Sequence, residues 1–220
     1  MTGGIETILV LLLMTNIALL GMSRLGACIL IVALQGVLLG VFTLFSHASV
    51  HTLLVGLGGI ALKGVVFPWL LGRALRQAEV RREVEPFVGY NLSIVMGAAI
   101  VALSFWIGSR LPLAFSGVSP LVVATALCML LTGFFLIVAR KKALTQVLGY
   151  LVLENGIFAF GVAFAPEAPL VVELGIFLDL FVAVFVMGIA IFHISREFDH
   201  IDTEQLSLLR DWRQGGDRRD

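Results

Sequence analysis

Polar residues are sparse along this chain, and its pattern is one of long apolar runs and the few residues that interrupt them. Seven runs reach, or come close to, the ~20 residues a helix needs to cross ~30 Å of hydrocarbon. They are Ile5 to Gly21, Leu25 to Phe45, Thr52 to Leu71, Phe87 to Gly108, Pro120 to Val138, Ala143 to Phe164 and Pro169 to Ile194. A membrane barrel would instead show ~10-residue segments of alternating polarity, and open strands leave backbone groups unsatisfied in lipid. The pattern predicts an all-α fold. It is a polytopic membrane helical bundle of about seven transmembrane helices, in one domain over residues 1–195 with a polar tail over 196–220.

Composition narrows the function classes. With 59% hydrophobic and 14% charged residues, zero formal charge and a mean hydropathy of +1.03, the chain departs strongly from soluble domains. Soluble enzymes and nucleic-acid binders are excluded, and so is a secreted disulfide scaffold, because Cys28 and Cys128 sit alone in apolar runs.

Orientation follows from the cations of the connections. With the N-terminus outside, the inner side collects Arg24, then Arg73, Arg76, Arg81 and Arg82, then Arg140, Lys141 and Lys142, then five tail arginines. The outer side keeps Arg110 alone. This predicts seven crossings and a cytoplasmic C-terminal tail. The first run lacks a basic start and a small-residue cleavage site, so it reads as an uncleaved anchor.

The informative residues are those that lipid should exclude: Lys63 in the third run, Glu154 in the sixth, and Glu173 and Asp179 in the seventh. A central charge costs roughly 2.5 to 3.5 kcal/mol on insertion scales. Counted at ~1.5 Å per residue from the inner ends, Lys63, Glu154 and Asp179 fall in the central band of the bilayer. There they could form a polar row that passes protons through water. Glu154 sits within Gly149-Tyr-Leu-Val-Leu-Glu-Asn-Gly156, with Tyr150 one turn below and Asn155 adjacent, while Gln35 is a further polar residue of the second run. Glu173 is near the outer end, beside Glu167, and reads as a solvated rim residue. The plain alternatives are a snorkelling Lys63 and a structural ion pair between Lys63 and either acid.

Other chemistry is thinly represented. His47 and His51 lack a third metal ligand, and His193 and His200 lie at the opposite end from them, so neither zinc nor bis-histidine haem is expected. There is no Cys-x-x-Cys, Walker motif or dinucleotide fingerprint. Gly36-x-x-x-Gly40 and the group Gly56, Gly58 and Gly59 suit close helix packing. An internal comparison suggests a parallel repeat of three helices, a spacer and three more. Lys63 follows Gln35 by 28 residues, as Asp179 follows Glu154 by 25.

The stretch Gly149 to Gly156, the segment Val172-Glu173-Leu-Gly175-Ile-Phe-Leu-Asp179 with Phe181 to Met187, the Lys63 to Pro68 segment, and the tail from His200-Ile201-Asp202-Thr203 to Leu206 and Leu209 closely resemble hydrogenase-4 component E. The last three helices are also similar to the K-type subunit of complex I and the C-type subunit of multisubunit sodium/proton antiporters.

The resemblance implies a non-catalytic membrane subunit of an energy-converting hydrogenase or formate hydrogenlyase-like complex, in a bacterial or archaeal cell membrane. Its partners would be antiporter-like membrane subunits, a quinone-site-like subunit, and peripheral subunits carrying the nickel-iron and iron-sulfur centres. No cofactor is expected in this chain. Glu154 matches the K-type glutamate, whereas Asp179 has no residue-by-residue counterpart in that pattern, and Lys63 would be a charge of the longer family. In this reading Glu154, Asp179 and Lys63 are relay stations, with Gln35, Tyr150, Asn155 and Glu173 as polar support. An antiporter subunit and a purely structural scaffold are the alternatives.

Overall fold

The computed structural model describes residues 2–46, 50–77, 86–111 and 119–164, and its regular elements are all helical. These are α1 (Thr2–Gly21), α2 (Leu25–Ser46), α3 (Val50–Ala61), a π-helical turn (Leu62–Val66), α4 (Phe67–Gln77), α5 (Tyr90–Arg110), α6 (Pro120–Ala139) and α7 (Ala143–Phe164). Among the described residues, six helical segments are long and apolar enough to cross a membrane. One of them, Gly56–Arg76, is continuous through α3, the π turn and α4. The seventh expected helix, Pro169 to Ile194, the tail, and with them Glu173, Asp179, His193 and His200 lie outside the described residues, as does His47. The second triplet of the repeat therefore extends outside them too.

The third span departs from the single run over 52–71 in two ways. It continues to Gln77, with Leu71 and Ala74 buried while Arg73 and Arg76 face outward. Its regularity also breaks at Leu62–Val66, where the N–H of Phe67 reaches back five residues to the carbonyl of Leu62. Pro68 supplies the reason. It has no N–H for the carbonyl four residues earlier, and its ring would press on that carbonyl in a regular α-helix; the wider turn relieves both. At the other boundaries the chain uses ordinary devices: the Ser119 hydroxyl accepts from Leu121 N at 3.3 Å, with Pro120 opening α6.

In lipid, helices associate by close packing and not by burying apolar surface from water, so small residues decide who touches whom. The tightest pair is α6 with α7. A Cβ at Gly133 would lie 2.5 Å from the Gly149 carbonyl oxygen, and one at Gly156 would lie 2.8 Å from Leu130 N. On α2, Gly36 abuts Lys63, and Gly40 abuts Ile60 and the carbonyl of Gly56. Gly58 and Gly59 meet nothing within 4 Å among the described residues, so that part of the glycine pattern marks no contact between them. The core is built of Leu9, Leu12, Leu20, Leu39, Met129, Leu136, Leu148 and Val152, from α1, α2, α6 and α7.

One end of the bundle gathers the described connections that carry most of its cations. Phe87 N donates to Ala139 O at 3.0 Å, joining the start of α5 to the end of α6, and Leu75 on α4 lies against Gly26 on α2. Arg24, Arg73, Arg76, Arg140, Lys141 and Lys142 belong to this basic end.

Candidate intramembrane polar site

The π turn and α7 place the two central charges together. Lys63 Nζ donates to Asn155 Oδ1 at 3.2 Å, lies 3.9 Å from Glu154 Oε1, and sits 5.1 Å above the ring of Phe158. Glu154, Asn155 and Phe158 present adjacent positions of one helical face, so a single cation meets all three. Lys63 is only 7% exposed, which removes the snorkelling alternative: the ammonium turns inward to α7. Both carboxylate oxygens of Glu154 are buried and accept no hydrogen bond from the described residues. An ion pair whose acid lacks further donors is an incompletely satisfied one, and such groups are expensive in a low-dielectric interior.

Gln35 belongs to a second polar cluster, between α1 and α2. Its Nε2 donates to Thr15 Oγ1 at 3.2 Å and to Asn16 Oδ1 at 3.4 Å, while its own buried Oε1 has no donor among the described residues. Thr15 and Asn16 in turn donate to the Leu12 carbonyl at 2.7 and 3.0 Å. The next residue, Gly36, packs directly on Lys63, so α2 carries the two clusters side by side. Tyr150, one turn before Glu154, is partly buried against the hydrophobic core.

Three polar participants escape the sequence reading. Thr15 and Asn16 interrupt the first apolar run, a signal that was available. Arg140 gave none, because it looks like one of three loop cations. It is 1% exposed, donates to Leu20 O at 2.9 Å, Val88 O at 3.4 Å and Ser93 Oγ at 3.5 Å, and stacks 4.6 Å from the Tyr90 ring. It ties the C-terminal end of α1, where a cation complements the helix dipole, to the start of α5. Among the described residues, no three His, Cys, Asp or Glu side chains gather as a metal site would require.

Comparison with known proteins agrees with this architecture. The family profile of NADH-ubiquinone/plastoquinone oxidoreductase chain 4L matches residues 121–211, which take in α7 and all but the first residue of α6. An uncharacterised protein of Mycobacterium tuberculosis is 35% identical over 71% of this chain and 72% of its own length. Hydrogenase-4 component E of Escherichia coli K12 is 29% identical over 79% of this chain and 82% of its own length, and that of Shigella flexneri matches equally. No solved structure matches. With several membrane-spanning helices, a chain 4L-like second half and relatives across most of its length, the chain is a multi-pass membrane protein that belongs to the hydrogenase-4 component E family.

Proposed function

We propose that this chain is a membrane-arm subunit of a complex I-like energy-converting hydrogenase or related redox complex, and that Lys63 and Glu154 are protonatable stations in its coupled proton transfer. The observation that carries the reading is the buried pair itself, Nζ to Oε1 at 3.9 Å, on two helices inside a membrane bundle. In water two such charges are stable apart. In hydrocarbon, transfer of one proton from the ammonium to the carboxylate yields two neutral groups and relieves the cost of burying charge, so the charged and neutral forms approach each other in energy. Asn155 holds the cation in place, and Asp179 is the expected third station. The basic end is read as cytoplasmic, the membrane as a bacterial or archaeal cell membrane, and the metal centres as residents of partner chains.

A scaffold reading, in which the pair only fixes the register of the third span against α7, is favoured by the same desolvated contact. One experiment separates them. The tagged chain is purified in gentle detergent, and everything bound is identified by mass spectrometry; antiporter-like membrane chains and cysteine-rich soluble chains are expected. The complex carrying Glu154→Gln is then assayed in vesicles. Loss of redox-coupled proton transport with unchanged subunit composition supports the relay, and unchanged transport leaves the scaffold. Purification of the chain alone would favour a stand-alone carrier.

A further inference from the structure

The cations of the basic end divide into two groups. Arg140 is held by carbonyls and the Tyr90 ring, Lys141 lies 5.2 Å from the centre of the Phe87 ring, and Lys142 is engaged as well. Arg24, Arg73 and Arg76 differ: they are exposed, and none of their guanidinium groups bonds to or pairs with a described residue. The only acids among the described residues are Glu6, near the far end of α1, and Glu154, inside the bundle.

Two of these arginines share a face of α4 with a definite order of chemistry. Val66, Trp69, Arg73 and Arg76 follow at intervals of three and four residues, opposite the buried Phe67, Leu71 and Ala74. Val66 is exposed, and so is Trp69 at 58%, with no acceptor for its indole N–H among the described residues. At ~1.5 Å per residue, Arg73 and Arg76 lie about 6 and 10 Å beyond Trp69 along the helix. Aliphatic side chain, indole, then guanidinium is also the order of a lipid leaflet from acyl chains through the interface to the phosphates. Gly72 borders this face, and a Cβ there would meet nothing within 4 Å among the described residues, so the surface is dented between Trp69 and Arg76. The third arginine flanks the same end, because Leu75 of α4 touches Gly26, two residues after Arg24.

We infer that this face of α4 binds one acidic phospholipid of the leaflet at the basic end. Arg73 and Arg76 hold its phosphate, with Arg24 at the side, and its glycerol and upper acyl chain lie over Gly72, Trp69 and Val66. A guanidinium presents two parallel N–H donors to a phosphate, which suits Arg at both positions. An acidic protein segment would satisfy the arginines but would have no need of the aliphatic and indole positions above them. The inference stands apart from the relay and scaffold readings, since neither uses these residues.

The test is site-specific photo-cross-linking from Val66→p-benzoylphenylalanine, one turn above the dent, in the intact complex. The complex is reconstituted in vesicles of phosphatidylglycerol and phosphatidylcholine, and adducts on the α4 peptide are identified by mass spectrometry. Two cations at roughly fivefold each set the expected enrichment of phosphatidylglycerol over its share of the vesicle at about 25-fold. Arg73→Gln with Arg76→Gln should return the adducts to the vesicle ratio. Arg110→Gln with Lys141→Gln removes the same charge elsewhere and should leave the enrichment intact. If the first pair does not assemble, Gly72→Leu fills the dent with every charge in place and should lower the enrichment several-fold. Adducts at the vesicle ratio in the complex with its arginines intact overturn the inference. So does enrichment that survives the loss of Arg73 and Arg76, or that falls equally in the control pair. An adduct to another protein chain also overturns it, by showing that a protein and not a lipid covers this face.

Discussion

Lys63 and Glu154 are 91 positions apart in sequence, and each is legible alone because a charge in a chain this apolar has to be compensated. Their partnership is testable as an energy. Removing one member of a buried pair costs about 3–5 kcal/mol, while replacing both can be close to neutral. Lys63→Met and Glu154→Gln should each lower the unfolding midpoint in detergent, and the double variant should lose less than their sum, with a coupling of about 1–3 kcal/mol. Strict additivity would mean that the 3.9 Å approach carries no interaction. The sequence offered three central charges and several polar neighbours but no means of pairing them, since residue type reports depth and not azimuth. Asn155 was legible as a neighbour of Glu154, but its role as an acceptor of the Lys63 ammonium was not.

Helix boundaries were readable because hydrocarbon thickness sets a length, and α2, α6 and α7 begin or end within a residue of their apolar runs. Helix faces were not. In lipid the exterior is as apolar as the interior, so Leu9 in the core and Met14 on the surface belong to the same unbroken run. Glycine spacing is the remaining signal, and it separates only when neighbours are known: Gly36 and Gly40 face the third span, while Gly58 meets none of the described residues. The contrast predicts a pair of outcomes. Gly133→Leu forces its side chain against the α7 backbone and should destabilise the chain by about 1–3 kcal/mol or more, also loosening the helix that carries Glu154. Gly58→Leu should fold normally and raise helix propensity, as thermal unfolding of the two purified variants would reveal. The π turn lay beyond any periodicity argument: Pro68 signals a disturbance, but not that the disturbance falls on Lys63.

At the scale of the whole bundle, the basic end does more than report orientation. Arg140 is buried there among neutral oxygens, and through them one side chain joins α1, the segment before α5, α5 itself and the α6–α7 junction. Gln146 Nε2 donates to the Arg140 carbonyl at 3.0 Å, which holds the backbone of that junction as well. Charge counting treats Arg140, Lys141 and Lys142 as equivalent, but a planar guanidinium can reach several carbonyls and stack on Tyr90 at once, and an ammonium cannot. Arg140→Leu would leave the Leu20 and Val88 carbonyls and the Ser93 hydroxyl without this donor, at roughly 1–3 kcal/mol for each group that stays buried and unsatisfied. The expected result is a clear fall in the unfolding midpoint, together with faster hydrogen exchange at the amides of Phe87, Val88 and Ser93, where α5 joins the bundle. Arg140→Lys should recover only part of the stability, whereas Lys141→Leu, whose side chain is exposed, should change it little. If Arg140→Leu and Lys141→Leu proved equally mild, Arg140 would be a topology signal alone, and the order of this end would have to come from backbone contacts such as Phe87 N to Ala139 O.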